Sequence, residues 1–143
     1  METSKWFLAH SKSDGLEDIE QWCVKIGRSL VQDGWETKVI SGRDDYEIRA
    51  AALGGWKAWC RDVPQGKDFQ GNPMFHGVII PVYSDNENPT VGKATADIVD
   101  GFISAGKHVY TWCPADEVFQ KVSSIEVLPE QDYLAWARLD FSC

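Results

Sequence analysis

A three-layer α/β sandwich is the fold that the sequence predicts, and three observations support this prediction. Short runs of β-branched and apolar residues alternate with segments in which apolar residues recur every three or four positions. The polar connections between these segments are short, and strand–helix–strand units of this size form parallel, right-handed crossovers. We therefore expect a single flavodoxin-like or Rossmann-like domain over residues 1–143, with about five mostly parallel strands.

The first part of the chain contains one complete strand–helix–strand unit. Residues 6–10 (WFLAH) form the first strand, and a polar turn ends it. A helix is predicted from Leu16 to Val31, because its apolar residues fall on one face and its charged residues mostly on the other. The second strand is predicted from Trp35 to Ser41.

The next helix follows the turn from Ser41 to Asp45, whose side chains supply capping oxygens. Its predicted apolar positions are Ile48, Ala52, Trp56, Trp59, Cys60 and Val63. Gly54 and Gly55 interrupt this pattern, at a cost of about 1 kcal/mol each relative to alanine. Either the helix breaks in two at this point, or the glycines let another backbone or a ligand approach closely. We expect the break.

The central part of the chain has the most regular pattern. The strand from Val78 to Tyr83 is apolar enough to be buried on both faces, and the polar residues 84–89 end it. We expect Thr90 to cap a helix that continues until Gly106 closes it. The following strand is predicted from His108 to Trp112.

The patterns after this unit are shorter. They predict a helix from Pro114 to Val122 and an edge strand from Ile125 to Leu128, which Pro129 ends. The tail from Asp132 to Leu139 is expected to form a closing helix that packs its aromatic and apolar residues.

Composition and charge exclude several functional classes. With 43% hydrophobic residues and seven tryptophans, the chain can form a packed core. The formal net charge of −8 repels phosphate backbones, so we expect no binding to a nucleic-acid polymer. A small anion can still bind to a local group of backbone N–H donors. No apolar run approaches the roughly 18 residues that cross a membrane, so we expect no membrane association.

The cysteines and the amino terminus indicate a cytoplasmic protein. No basic segment followed by a long apolar region is present at the amino terminus, so we expect no signal peptide. The chain has four widely spaced cysteines: Cys23, Cys60, Cys113 and Cys143. They form no Cys-x-x-Cys pair, and we expect reduced thiols, no metal site and no cofactor. Aromatic residues such as Trp35 or Trp136 fit a homo-oligomer face and a core role equally well.

The predicted fold selects a candidate site before any motif does. In open parallel sheets, ligands bind beyond the carboxyl ends of the strands where the strand order reverses, and we expect the first and third strands to be neighbours there. The residues at these strand ends are His10, Ser11, Arg43, Asp44, Tyr83, Ser84 and Asp85. The start of the following helix adds Thr90, Gly92, Lys93 and Thr95. This helix start lacks the Walker pattern, because Glu87 and Ala94 stand where glycine and a hydroxyl residue are needed, but its backbone N–H groups can bind an anion.

Asp97 is the candidate catalytic residue. It lies near the start of the helix, where the helix dipole stabilises a carboxylate, although its spacing from Asp100 also fits a solvated helix face. His10 is a candidate substrate contact. It does not pair directly with Ser11, because adjacent residues on an extended strand point to opposite faces.

Trp56 and Trp59 lie three residues apart and therefore on one helical face. Core packing is one role for this pair. If the glycine break brings their helix over the mouth of the site, Trp56 instead stacks on a nucleobase, with Arg43 or Arg49 near a phosphate or ribose.

Three stretches of the chain resemble the nucleoside 2-deoxyribosyltransferase-like superfamily, which includes nucleotide N-glycosidases and lysine-decarboxylase-like hydrolases. They are residues 7–11 (FLAHS), 77–92 (GVIIPVYSDNENPTVG) and 94–112 (ATADIVDGFISAGKHVYTW). The resemblance implies an enzyme that binds a nucleoside or nucleotide and cleaves or transfers at the N-glycosidic bond. In that family a glutamate in the first helical turn is the nucleophile. Alignment on Gly106 and Lys107 places Ile98 at its position, with Asp97 one residue away.

Two hypotheses follow from this register. In the first, Asp97 attacks or stabilises an oxocarbenium-like sugar, Tyr83 and His10 position the substrate, and residues 90–95 hold a phosphate or ribose hydroxyl. In the second, the chain keeps the pocket but not the chemistry, and it binds a nucleotide-like ligand as a sensor or sequestering protein. A scaffold without a ligand is the third alternative.

Overall fold

The computed structural model describes residues 3–10, 14–30, 36–67, 70–82, 89–130 and 135–141, and it has an α/β fold. The helices among these residues are α1 (Leu16–Ser29), α2 (Gly42–Leu53), α3 (Trp56–Gln65) and α4 (Lys93–Ser104). The strands are β1 (Thr3–Leu8), β2 (Glu36–Ser41), β3 (Gly77–Pro81), β4 (Thr90–Val91), β5 (His108–Trp112), β6 (Phe119–Val127) and β7 (Ala137–Phe141). The first strand, α1 and the second strand are confirmed as elements, but β1 begins three residues before its predicted start and ends two residues before its predicted end, and α1 ends at Ser29.

One sheet of seven strands contains all of these strands in the order β2-β1-β3-β5-β6-β7-β4. The four strands β2, β1, β3 and β5 are parallel, whereas β6, β7 and β4 join them through antiparallel pairs. The sequence predicts about five mostly parallel strands. The parallel half of the sheet is therefore predicted correctly, but the sheet has more strands than predicted, because antiparallel strands extend it.

The strand order reverses at β1, as the sequence predicts. Leu8 at the end of β1 is in register with Ser41 of β2 on one side and with Ile79 of β3 on the other. The chain leaves β1 toward β2 and later returns to the opposite side of β1 as β3. This reversal opens a crevice at the carboxyl end of β1, because the following connections turn to opposite sides.

Alternating residues of the parallel strands supply two hydrophobic clusters, one on each face of the sheet. The side of Phe7 and Val78 packs against α2, α3 and α4, whereas the side of Leu8 and Ile79 packs against α1. The first cluster also contains Ala50, Trp59, Val63, Val99 and Phe102, and the second contains Ile19, Trp22 and Ile26.

The helix predicted from Pro114 to Val122 is wrong. A turn over residues 114–116 leads directly into β6, where Phe119 is in register with Trp112 of β5. The predicted helix was short, and pairing with the open edge of β5 satisfies more backbone groups than an isolated helical turn. The strand predicted from Ile125 to Leu128 is part of β6, but it is not an edge strand, because β6 lies between β5 and β7.

The closing helix predicted from Asp132 to Leu139 is also wrong in its described part. Residues 132–134 lie outside the described residues, and Ala137–Phe141 forms β7. Ala137 and Leu139 are buried while Arg138 between them is partly exposed, so the apolar residues alternate with the period of a strand. A short apolar run fits a helix or a strand, and the neighbouring β6 decides between them.

The start of α4 differs from its predicted position. Thr90 does not cap the helix, because Thr90 and Val91 form β4 and pair with Arg138 and Ala137. The N-cap residue of α4 is Gly92. At the other end the prediction is confirmed, since Gly106 follows the helix with a left-handed φ of +71° that glycine adopts without strain.

The break at the two glycines is confirmed. Gly54 and Gly55 have φ angles of +102° and +111°, and they separate α2 from α3. The break changes the direction of the apolar face, so the predicted burial of two positions on α2 is wrong. Ile48 is 77% exposed and Ala52 is exposed as well.

Within the described residues, no helix has both the length and the apolar character that a membrane span requires. Three cysteines in this part of the chain are free thiols: Cys23, Cys60 and Cys113.

We expect two glycine-to-alanine changes in helix interiors to have opposite effects on stability. A Cβ at Gly101 of α4 would overlap the ring of the buried Pro64 of α3, so Gly101→Ala should lower the free energy of unfolding by about 1–3 kcal/mol. A Cβ at Gly27 of α1 would have its nearest neighbour at 3.7 Å, which is an ordinary contact. Gly27→Ala should therefore raise the free energy of unfolding by about 0.4–1 kcal/mol. Urea unfolding measures both changes, and a gain in both variants would contradict the close packing of α3 on α4.

Candidate functional site

A cleft of about 610 Å³ opens at the carboxyl end of β1. All four helices contribute to its walls, which include Ala9 and His10 after β1, Asp14 before α1, and Ile98 of α4. The cleft therefore lies at the reversal of strand order, where the sequence predicts the ligand site. Its volume is within the range of small-molecule sites.

Gly42 lets α2 begin close to the end of β1. A Cβ at this position would lie 3.0 Å from the ring of Phe7 and 3.2 Å from the carbonyl oxygen of Leu8, which is tighter than most side chains allow. Ser41 before it is buried, and its hydroxyl accepts a hydrogen bond of 3.1 Å from the backbone N–H of Asp44. These two residues fix the entry of α2 and hence the position of Arg43 at the cleft.

His10 and Arg43 meet at the rim of the cleft. The backbone N–H of Arg43 donates a hydrogen bond of 3.4 Å to Nε2 of His10. The Arg43 guanidinium lies 3.5 Å from the carboxylate of Glu47, and both side chains are more than half exposed. Because exposed ion pairs of this kind contribute little, a ligand can take over the guanidinium at small cost.

Aromatic rings form one wall of the cleft. Tyr46 of α2 and Trp56 and Trp59 of α3 are in mutual contact, with ring centroids 5.2–5.6 Å apart. Trp59 is 4% exposed, whereas Trp56 and Tyr46 are 39% and 38% exposed. The buried ring therefore supports two rings that are partly exposed at the cleft.

A buried ion network lies beneath this wall. Asp45 is 4% exposed, and its carboxylate accepts hydrogen bonds from Trp59 Nε1 at 2.8 Å and from two guanidinium nitrogens of Arg49 at 2.9 Å. Arg49 also pairs with Asp62 of α3. Burial alone lowers the pKa of Arg49, but the hydrogen bonds to Asp45 and Asp62 raise it above its ordinary value. The network holds α3 against α2 and thereby fixes the aromatic wall.

The first turns of α4 form the opposite side of the cleft. Ala94, Thr95 and Ile98 line it, but Asp97 does not. Asp97 is 58% exposed, lies 3.3 Å from the Lys93 ammonium group, and lines a neighbouring groove between α3 and α4. Adjacent helical residues differ in direction by about 100°, and on this turn of α4 Ile98 lines the cleft while Asp97 lines the groove.

The structure brings part of the predicted site together. Three of the predicted contact residues line the cleft: His10, Arg43 and Thr95. Lys93 lies in the groove with Asp97, Gly92 caps α4, Thr90 belongs to β4, and Asp44 is exposed in the first turn of α2. Four predicted residues, Ser11, Tyr83, Ser84 and Asp85, lie outside the described residues.

Sequence reasoning did not identify Asp14 and Tyr46 as cleft residues. Both line the cleft, Asp14 just before α1 and Tyr46 one turn into α2. The sequence contains a signal for Asp14, because residues in the turn after the first strand are expected at the ligand site. Tyr46 had none, because its position at the cleft depends on the orientation of α2 toward α3.

Among the residues that the structure describes, no three His, Cys, Asp or Glu side chains form a group that could hold a metal ion. Comparisons of the chain with protein-family models, with curated proteins and with solved structures find no match.

Asp45→Asn is expected to destabilise the protein strongly. The substitution removes one of the two carboxylates that pair with the partly buried Arg49, so the free energy of unfolding should fall by about 3 kcal/mol, the lower end for breaking a buried ion pair. The matched control is Glu47→Gln on the same helix, which removes an exposed pair and should change stability by less than about 1 kcal/mol. Chemical denaturation of both variants provides the measurement, and equal effects would show that the network does not hold α2 and α3 together.

The thiol of Cys60, which lines the α3–α4 groove, should respond to Asp97. Burial and then the Asp97 carboxylate raise the pKa of Cys60 from 9.0 to about 11, so few thiolates exist at pH 9. Asp97→Asn removes a negative charge, which should lower this pKa and accelerate alkylation of Cys60 by iodoacetamide at pH 9. Peptide mass spectrometry follows the reaction, with Asp100→Asn as the control in the same groove. An unchanged rate would place Asp97 too far from the thiol.

Proposed function

We propose that this protein binds a nucleotide-like small molecule in the cleft and leaves its N-glycosidic bond intact, as a sensor or a sequestering protein does. The register of α4 carries this proposal. Ile98 lines the cleft at the position where the resemblance implies a nucleophilic carboxylate, and Asp97 lies outside it. An isoleucine cannot attack or stabilise an anomeric carbon, but it can pack against a sugar or base.

The aromatic wall supports binding of a planar group. Trp56 and Tyr46 are both partly exposed, and the buried Trp59 fixes their arrangement from below. Stacking on aromatic rings accepts any nucleobase, because every base has a π-face. A rigid platform also loses little side-chain entropy on binding.

A few polar groups surround this apolar wall. Arg43, His10 and Asp14 line the cleft together with the Thr95 side of α4. A carboxylate accepts hydrogen bonds from ribose hydroxyls, and a guanidinium donates to a phosphate or a base oxygen. The combination of a mostly apolar wall and a small number of polar contacts is typical of small-molecule sites.

We also propose that the parallel half of the sheet is flavodoxin-like. The parallel order β2-β1-β3-β5 matches the flavodoxin-like order of doubly wound sheets, in which ligands bind at the reversal. The free thiols of the described cysteines support a cytoplasmic location.

An enzyme acting on the N-glycosidic bond is the second candidate, and Asp14 is the observation that favours it. Asp14 lines the cleft together with Ile98, and its carboxylate would take the role on the sugar that Asp97 cannot take from the neighbouring groove. This candidate requires turnover, whereas the first requires that the bound compound remain unchanged.

A panel of nucleosides and nucleotides distinguishes the two candidates. Under the first, at least one compound should raise the melting temperature and remain intact by chromatography, and a ligand at 100 times its Kd should add ~2.7 kcal/mol of stability. Trp56→Leu should weaken that ligand by about 1–3 kcal/mol, the range for lost base stacking. Ile48→Ala, which removes an exposed apolar side chain of α2 outside the cleft, is the matched control.

Two results would contradict the proposal. Release of free base by the wild type but not by Asp14→Asn would establish the enzyme. An unchanged melting temperature with every compound of the panel would favour the third alternative, a scaffold that binds no ligand.

A further inference from the structure

A second groove of about 660 Å³ lies between α3 and α4 and continues from the cleft. Trp56 and Ala94 line both spaces, so the cleft and the groove meet at these two residues. A ligand that stacks on Trp56 in the cleft can therefore extend into the groove without crossing the protein interior.

The groove differs from the cleft in its charged groups. Lys57 and Arg61 of α3 and Lys93 of α4 line it from two sides, and two carboxylates, Asp97 and Asp100, lie on the α4 side. The groove thus has one more cation than anions, in a chain whose formal net charge is −8. A local excess of cations on an acidic protein indicates an anionic ligand.

The cations of the groove are available to a ligand. Among the residues that the structure describes, neither Lys57 nor Arg61 forms an ion pair, and both are exposed. Lys57 and Arg61 are four residues apart on α3, so their side chains lie on the same helical face. Lys93 pairs with Asp97, but both side chains are at least half exposed, and such a pair exchanges readily for a phosphate.

Small residues form the floor of the groove. Gly101 of α4 packs directly on Pro64 of α3, and Ala94 lies at the end nearest the cleft. This narrow floor beside the cationic edge of α3 suits a flexible chain of charged groups better than a planar ring, which needs a broad apolar surface.

We propose that the ligand is a nucleoside oligophosphate, with its base on the aromatic wall of the cleft and its phosphate chain over Trp56 into the groove. Lys57, Arg61 and Lys93 contact the second and third phosphates. This inference rests on the proposed function, since it names the class of ligand that the same cleft binds.

Isothermal titration with a nucleoside and its mono-, di- and triphosphates, in EDTA at fixed ionic strength, tests the proposal. The base is the one that binds in the panel described above. Affinity should increase from the nucleoside to the triphosphate. The double variant Lys57→Ala/Arg61→Ala should lose about tenfold or more in affinity for the di- and triphosphate, and less than about twofold for the nucleoside.

The matched control is Lys25→Ala/Arg28→Ala, which removes the same charge from exposed positions on α1, on the other face of the sheet. It should change the triphosphate affinity by less than about twofold, the effect of net charge alone. Equal losses of triphosphate affinity in both double variants would overturn the oligophosphate proposal, and so would equal wild-type affinity for nucleoside and triphosphate. In either case, binding of the nucleoside would still uphold the proposed function. Failure of every compound to bind would overturn both.

Discussion

The buried carboxylate of Asp45 is the group on which the shape of the site depends. A charge that is almost completely buried is costly unless several donors compensate it, and here Arg49 and Trp59 supply three hydrogen bonds. Because Arg49 also binds Asp62 across the glycine break, α2 and α3 cannot turn independently. Trp59 is thus both a partner of the network and the support for the exposed ring of Trp56. Stability and the binding surface are coupled through this one carboxylate.

The position of the cleft follows from the parallel half of the sheet. The reversal at β1 leaves a space at the carboxyl end of this strand, and helices from both faces of the sheet line it. The antiparallel strands β6, β7 and β4 extend the opposite side of the sheet, and they anchor α4 because β4 pairs with β7 just before the helix begins. The extension therefore contributes to the site indirectly, by setting the start and rotation of α4.

The rotation of α4 decides which of its side chains lines the cleft. Adjacent residues on a helix point in directions about 100° apart, so a shift of one residue exchanges a carboxylate for an aliphatic side chain. Ile98 faces the cleft and is buried, whereas Asp97 pairs with Lys93 at the surface of the groove. The groove and the cleft meet at Trp56, which gives the candidate ligand two chemically different environments, one aromatic and one cationic.

The sequence by itself determined the parallel core, the reversal at β1, the break at Gly54 and Gly55, and the cleft residues His10, Arg43 and Thr95. These features depend on local patterns: continuous apolar strands, helical periodicity, and residues with a special backbone conformation. Only the tertiary structure decided that residues 119–124 and 137–141 are strands, because short apolar runs fit either element until a neighbouring strand edge is present. It also decided that Tyr46 and Trp56 share one wall and that Asp97 faces away from the cleft. Those outcomes depend on how one helix packs against another, and that relation joins residues far apart in the chain.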